Sequence, residues 1–162
     1  MELVTIRIQK PDAVNFILGQ TRSAETIDDI FEVIESAAPH LVFGIAYNEA
    51  SGNRLVRVAG SDQAMIDLAR TNASALGAGD IFIVFFGAPS NPRHILAAVK
   101  ALPEVCGITC ATSNPTEVIL GMSAQGCGIV GAIDGFGPRA VESDDETSWR
   151  RDYLHHVAGF RK

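Results

Sequence analysis

The chain has 162 residues, the size of one domain and long enough to bury a core without disulfide or metal staples. Hydrophobic residues make up 47% and charged residues 20%, which excludes a disordered chain or a coiled coil. Thirteen Lys and Arg against nineteen Asp and Glu give a net charge of −6, and no basic stripe is present, so a grip on nucleic-acid phosphates is not expected.

A β-branched start predicts a strand over 3–8, stopped by Pro11. A second short strand is expected over 15–18, closed by Gly19. Residues 24–37 read as a helix, because Ile27, Ile30, Phe31 and Ile34 share one apolar face and Pro39 follows. Residues 41–47 form a nearly continuous apolar run, the pattern of a strand buried on both faces. A polar loop over 48–53 leads to a strand over 55–58. Ser61 is the expected N-cap of a helix carrying Met65, Leu68, Ala69 and Leu76, ended by Gly77-Ala78-Gly79. Residues 81–86 are the most hydrophobic strand. Asn91-Pro92 opens a helix through Leu102 in N-cap and N1 style. Three strands follow over 105–112, 117–122 and 128–133, and Ser143 caps a charged helix to about Val157. Alternating buried strands and amphipathic helices predict one layered α/β domain over 1–162. The short links after residue 105 predict a mixed sheet.

No leader pattern opens the chain, and the apolar run at 81–86 is too short to cross a bilayer, so the cytoplasm is the expected compartment. Three cysteines fit reduced thiols. Cys106 and Cys110 on one strand would stand about 13 Å apart, too far for a disulfide. The four histidines form no ligand set, so no metal site is expected. His155 and His156 near a helix end complement its dipole.

Gly126-Cys127-Gly128-Ile129-Val130-Gly131 matches G-x-G-x-x-G, with Asp152 further on. Its context is that of a strand, so a glycine-rich strand is preferred to a dinucleotide turn. No Walker loop occurs. No G-x-S-x-G elbow marks a serine nucleophile. Cys127 beside flexible glycines is an outside candidate for a hydrolase nucleophile.

The loop Glu49-Ala50-Ser51-Gly52-Asn53-Arg54, with Arg57 behind it, follows a buried strand, where α/β ligands bind. Arg54 and Arg57 can fork onto phosphate, while a solvated hairpin is the plainer reading. Gly77-Ala78-Gly79-Asp80 is a second candidate, with a simple helix C-cap as its alternative. Ser113 and Asn114 can present a hydroxyl and an amide, or form a Pro-containing turn. Asp134 ends a strand and can bind a ribose or cap its own turn.

These strings resemble the adenosine-specific kinase family of small archaeal and bacterial proteins. The matching segments are NFILGQ (15–20), FGIAYNEASGNRLVR (43–57), GAGDIFIVF (77–85), LPEVCGITCATSNPTEVIL (102–120) and GCGIVGAIDGFGPRAVE (126–142). The resemblance spans about 3–160. It implies a layered α/β domain that binds adenosine and AMP and forms homo-oligomers, with a trimer the expected form. Glu49, Ser51, Arg54, Arg57, Asn114 and Asp134 fall in its binding strings. The family pattern has histidine, a phosphate carrier, where this chain has Asp80. It has cysteine in place of Asn48 and an arginine in place of Cys127.

Three functions follow as expectations. The first is an adenosine-directed phosphotransferase in which Asp80 is the acceptor or base, Glu49 and Asp134 hold ribose hydroxyls or Mg²⁺, and Arg54 and Arg57 meet phosphate. Such a kinase needs Mg²⁺. The second is a non-catalytic adenosine or AMP sensor. The third is an oligomeric protein with a decayed ligand site.

Overall fold

The computed structural model describes residues 1–88 and 92–156, with side chains to residue 154. Among these, the elements run β1 (Glu2–Arg7), β2 (Asn15–Thr21), α1 (Thr26–Ala37), β3 (Phe43–Asn48), β4 (Val56–Gly60) and α2 (Gln63–Leu76). They continue with β5 (Ile81–Phe86), α3 (Pro92–Lys100), β6 (Val105–Thr112), β7 (Thr116–Met122), β8 (Cys127–Asp134) and α4 (Asp144–His156). Asn91 and Val157 lie outside the described residues, as do the side chains of His155 and His156.

The layered α/β domain is present, but the expected mixed sheet is not. Two sheets form, ordered β4-β3-β5-β2-β6 and β1-β7-β8, and every neighbouring pair is antiparallel. The reason is that α1, α2 and α3 each carry the chain across an intervening strand. Helix α1 links β2 to β3, which run parallel to each other with β5 between them. Helix α3 links β5 to β6 across β2 in the same way, and α2 links β4 to β5 across β3. These are split β-α-β units. The sequence shows the alternation of strand and helix but not which strand is inserted between the linked pair.

Burial follows the strand pattern. All residues of β3 and β5 are buried, as their unbroken apolar runs require. One face of the larger sheet packs Ile17, Ile45, Phe82 and Val84 against Ile27, Ile30 and Ile34 of α1 and Ile95 and Val99 of α3. The other face packs Phe16, Leu18, Ala46, Ile83 and Phe85 against Ala69, Ala73 and Leu76 of α2 and against Val118 and Leu120 of the small sheet. A phenylalanine buried in this way contributes roughly 2 to 3 kcal/mol.

Local signals were mostly legible, with shifts at the ends. Strand β2 continues past Gly19 to Thr21. Asp62, not Ser61, caps α2, its carboxylate accepting from the Met65 amide at 3.0 Å. The Ser61 hydroxyl instead accepts from the Phe43 amide and donates to the Leu41 carbonyl, tying the start of β3 to the end of β4. Gly77 caps the C-terminus of α2 in the left-handed conformation. Ser143 and Glu146 form a reciprocal capping box at α4. The G-x-G-x-x-G string is strand β8, paired along β7, so it opens no helix. All three cysteines are free.

Beyond β8 the chain leaves the body. Phe136 and Val141 are exposed, and α4 buries little of its surface. Trp149 and Tyr153 stack on each other at 5.3 Å in that helix.

Candidate functional site

Strands β3, β4, β5 and β8 all turn at one end of the molecule, where α2 also ends. Between these turns lies a cleft of about 1000 Å³. The hairpin joining β3 to β4 supplies Asn48, Glu49, Asn53 and Arg54. The end of α2 and the loop after it supply Ser74, Gly77, Ala78 and Gly79. The hairpin joining β7 to β8 supplies Ser123, Gln125 and Cys127.

The floor is set by Asn48, which is buried at 6% exposure. Its side-chain nitrogen donates to the carbonyls of Ala73 and Ala78, at 2.8 and 2.9 Å. Two carbonyl acceptors fix which end of the amide is nitrogen. The other end, Oδ1, is buried without a donor among the described residues. Gly79 lets the loop after α2 lie against the hairpin, since a Cβ there would stand 2.7 Å from that of Ala50.

Charge in the cleft is uneven. Glu49 accepts from Nε and Nη2 of Arg57 at 2.9 and 2.8 Å, and from the Leu55 amide at 3.2 Å. The Arg57 guanidinium, with the Leu55 amide, holds the Glu49 carboxyl below the usual carboxylate range. This carboxylate therefore braces the hairpin. Arg54, at a left-handed φ of 52°, has no hydrogen-bond or ion-pair partner for its guanidinium among the described residues. It is an uncommitted cation in the cleft lining.

Asp80 stands one residue beyond the cleft lining, also left-handed at φ 54°. Its amide donates to the Asn48 carbonyl at 2.8 Å, and its carbonyl accepts from the Thr21 amide at 2.9 Å. Its Oδ1 accepts from the Tyr47 hydroxyl at 2.8 Å. Tyr47 belongs to the core on the α1 and α3 side of the sheet. The Asp80 carboxylate thus meets the sheet end from that side, while Asn48 faces α2. Burial and the neighbouring Asp80 push the Tyr47 phenol well above its ordinary value, and Glu49 adds to this while Arg57 opposes it.

Besides Asp80, the six other residues predicted from the sequence fall into three groups. Glu49 and Arg54 line the cleft, with Arg57 behind Glu49. Ser51 is exposed at the hairpin tip, its carbonyl accepting from the Arg54 amide. Asn114 and Asp134 pair with each other at 2.9 Å, beside Cys110. Burial, together with Asp134, pushes the Cys110 thiol up to about 11. Thr116 faces Asp134 and Met122 faces Cys127, so this pair lies roughly 20 Å along β7 from the cleft.

Residues missed by the sequence reading are Ser74, Ser123 and Gln125. They come from a helix end and a hairpin, and no local pattern distinguishes them. Asn48, which the sequence places in the polar loop over 48–53 and marks by its departure from the family pattern, is instead the last residue of β3. Cys127 does line the cleft, with its thiol donating to the Leu76 carbonyl at 3.3 Å. Among the described residues, no group of three acidic, histidine or cysteine side chains gathers as a metal site. No helix among them is long and apolar enough to cross a membrane.

The crystal structure of the PH1918 protein from Pyrococcus horikoshii OT3 matches this fold with a TM-score of 0.93. The match covers 99% of both chains at 31% identity. No curated protein matches the sequence. The family model described as adenosine specific kinase matches residues 6–161, nearly the whole chain. The chain therefore belongs to the adenosine-specific kinase family.

Proposed function

We propose that the chain binds adenosine and AMP in the cleft beneath the β3–β4 hairpin and transfers a phosphoryl group to adenosine. The observation that carries the binding reading is the division of charge in that cleft. Glu49 is neutralised by Arg57, while Arg54 is left to meet an anion. The volume of about 1000 Å³ is large enough for a nucleoside with phosphates attached. Ser74, Ser123, Gln125 and Asn53 offer hydroxyls and amides to base and ribose.

In the transfer, a ribose hydroxyl of adenosine attacks the terminal phosphorus of ATP, the bond to the bridging oxygen breaks and ADP leaves; Asp80 takes the hydroxyl proton, and Arg54 stabilises charge on the phosphoryl oxygens. Mg²⁺, as such a kinase needs, would come with the phosphates of ATP and would neutralise their charge. Asn114 and Asp134 are too far along β7 to reach the same ligand within one chain.

A second reading is a sensor that binds nucleoside without turnover. It is favoured by the Asp80 carboxylate, which bonds to Tyr47 and does not line the cleft. Asp80→Asn separates the two. On the kinase reading it abolishes ATP consumption and spares adenosine binding. A sensor consumes no ATP in either form.

The chain also self-associates on this proposal, a trimer being the form we expect. The outer face of the small sheet exposes Leu3, Val130 and Ile133, and the C-terminal arm exposes Phe136, Val141 and Trp149. Each chain thus carries two unsatisfied apolar surfaces, which a head-to-tail ring would cover. Light scattering on the full chain tests this, and a monomeric mass at micromolar concentration refutes it.

A further inference from the structure

On the kinase reading Asp80 must present one defined oxygen to its substrate. We infer that Tyr47 is the positioning residue that makes it do so, by occupying Oδ1 and leaving Oδ2 to act. The contact itself does not depend on that reading, but its use does.

The backbone of Asp80 is already fixed from two strands. Asn48 of β3 accepts its amide, and Thr21 of β2 donates to its carbonyl. Both bonds hold it at φ 54°, a conformation that aspartate tolerates better than most residues. Side-chain rotation is then the main freedom left. The Tyr47 hydroxyl removes it with a bond of 2.8 Å.

That phenol cannot yield easily. Its residue is 3% exposed and packed among the core side chains on the α1 and α3 face. A buried hydroxyl needs an acceptor, and Asp80 is the one it has. The charged groups facing the phenol are Asp80, Glu49 and Arg57, and Glu49 and Arg57 neutralise each other. No hydrogen bond or ion pair among the described residues reaches Oδ2 of Asp80. The arrangement is one oxygen tied and one free, at the sheet end one residue beyond Gly79 of the cleft lining.

Two variants test this in the full chain. Tyr47→Phe removes only the hydroxyl and keeps the packed ring. Replacing tyrosine by 3-fluorotyrosine in a Tyr153→Phe background keeps the hydroxyl and makes it a stronger donor, at Tyr47 alone. The first readout is the Asp80 carboxyl carbon resonance at pH 8, assigned with Asp80→Asn. It is expected to move in opposite directions in the two variants. The second is steady-state turnover of adenosine with MgATP. Tyr47→Phe is expected to lower kcat about tenfold with KM for adenosine unchanged, the loss of about one hydrogen bond in the transition state. A resonance that stays fixed in both variants overturns the inference, as does an unchanged kcat. A wild type that binds adenosine without turnover, with the resonance still following Tyr47, removes the kinase reading and leaves the positioning contact standing.

Discussion

Truncating Asn48 tests how the cleft floor is held. Asn48→Ala removes two donors from the carbonyls of Ala73 and Ala78. The Ala73 carbonyl keeps the Gly77 amide at 3.0 Å, so its loss is about 0.5 to 1 kcal/mol. The Ala78 carbonyl has no other donor among the described residues, and baring it costs about 1 to 3 kcal/mol. The lost side-chain volume costs about 1 kcal/mol more. Against this, the substitution also removes the unpartnered Oδ1, returning about 1 kcal/mol. The net expectation is a destabilisation of about 1.5 to 4 kcal/mol, or about 3 to 16 °C in Tm for a chain of this size. Urea denaturation followed by circular dichroism measures it. Asn48→Asp is the control. Two carbonyls disfavour the charged form of the new carboxyl, so its deficit relative to wild type is smallest below pH about 3.9 and grows as pH rises. A change under about 0.5 kcal/mol for Asn48→Ala, or a deficit for Asn48→Asp that ignores pH, refutes the clamp.

Three other expectations follow from particular contacts. Gly79→Ala brings two Cβ atoms to 2.7 Å and should cost about 1 to 3 kcal/mol in denaturant midpoint analysis, with most of the loss restored by Ala50→Gly. The depressed Glu49 carboxyl makes the Arg57 brace stabilising above the free glutamate value of about 4.3, with the effect lost as pH falls through the lowered folded-state value. Arg57→Gln should therefore differ from wild type at pH 7, with the gap shrinking as pH falls below about 4.3, read by thermal melts. A gap that persists in acid would assign the difference to packing. Trp149 is the sole tryptophan and 66% exposed within one chain, so association through the arm should shift its emission to the blue as concentration rises. Emission that is red at all concentrations leaves the arm uncovered.

The fold was largely legible where one residue pattern decides the outcome. The unbroken apolar run of β5 and the four-residue face of α1 are such cases. Strand order was not legible, because the insertion of β5 between β2 and β3 depends on packing between distant segments. Ser61 and Asp62 are both good caps, and only the tie from Ser61 to Leu41 and Phe43 decides between them. The site divides similarly. Glu49 and Arg54 were visible as a charged loop after a buried strand, but the pairing that commits Glu49 and frees Arg54 needed the β3–β4 register, which sets Tyr47 against Arg57. The register of β7 with β8 separated Asn114 and Asp134 from the cleft. Tyr47 looked like one more apolar strand residue until its hydroxyl was seen against Asp80.

The central claim is that adenosine and AMP bind in this cleft, with the AMP phosphate toward Arg54. Calorimetric titration of adenosine and AMP into wild type and Arg54→Ala tests it most directly. The account predicts that both ligands bind wild type. It also predicts that Arg54→Ala weakens AMP about tenfold or more, the loss of a charge-assisted contact, while adenosine affinity changes little. Absence of binding by either ligand at millimolar concentration, or equal weakening of both, would contradict it.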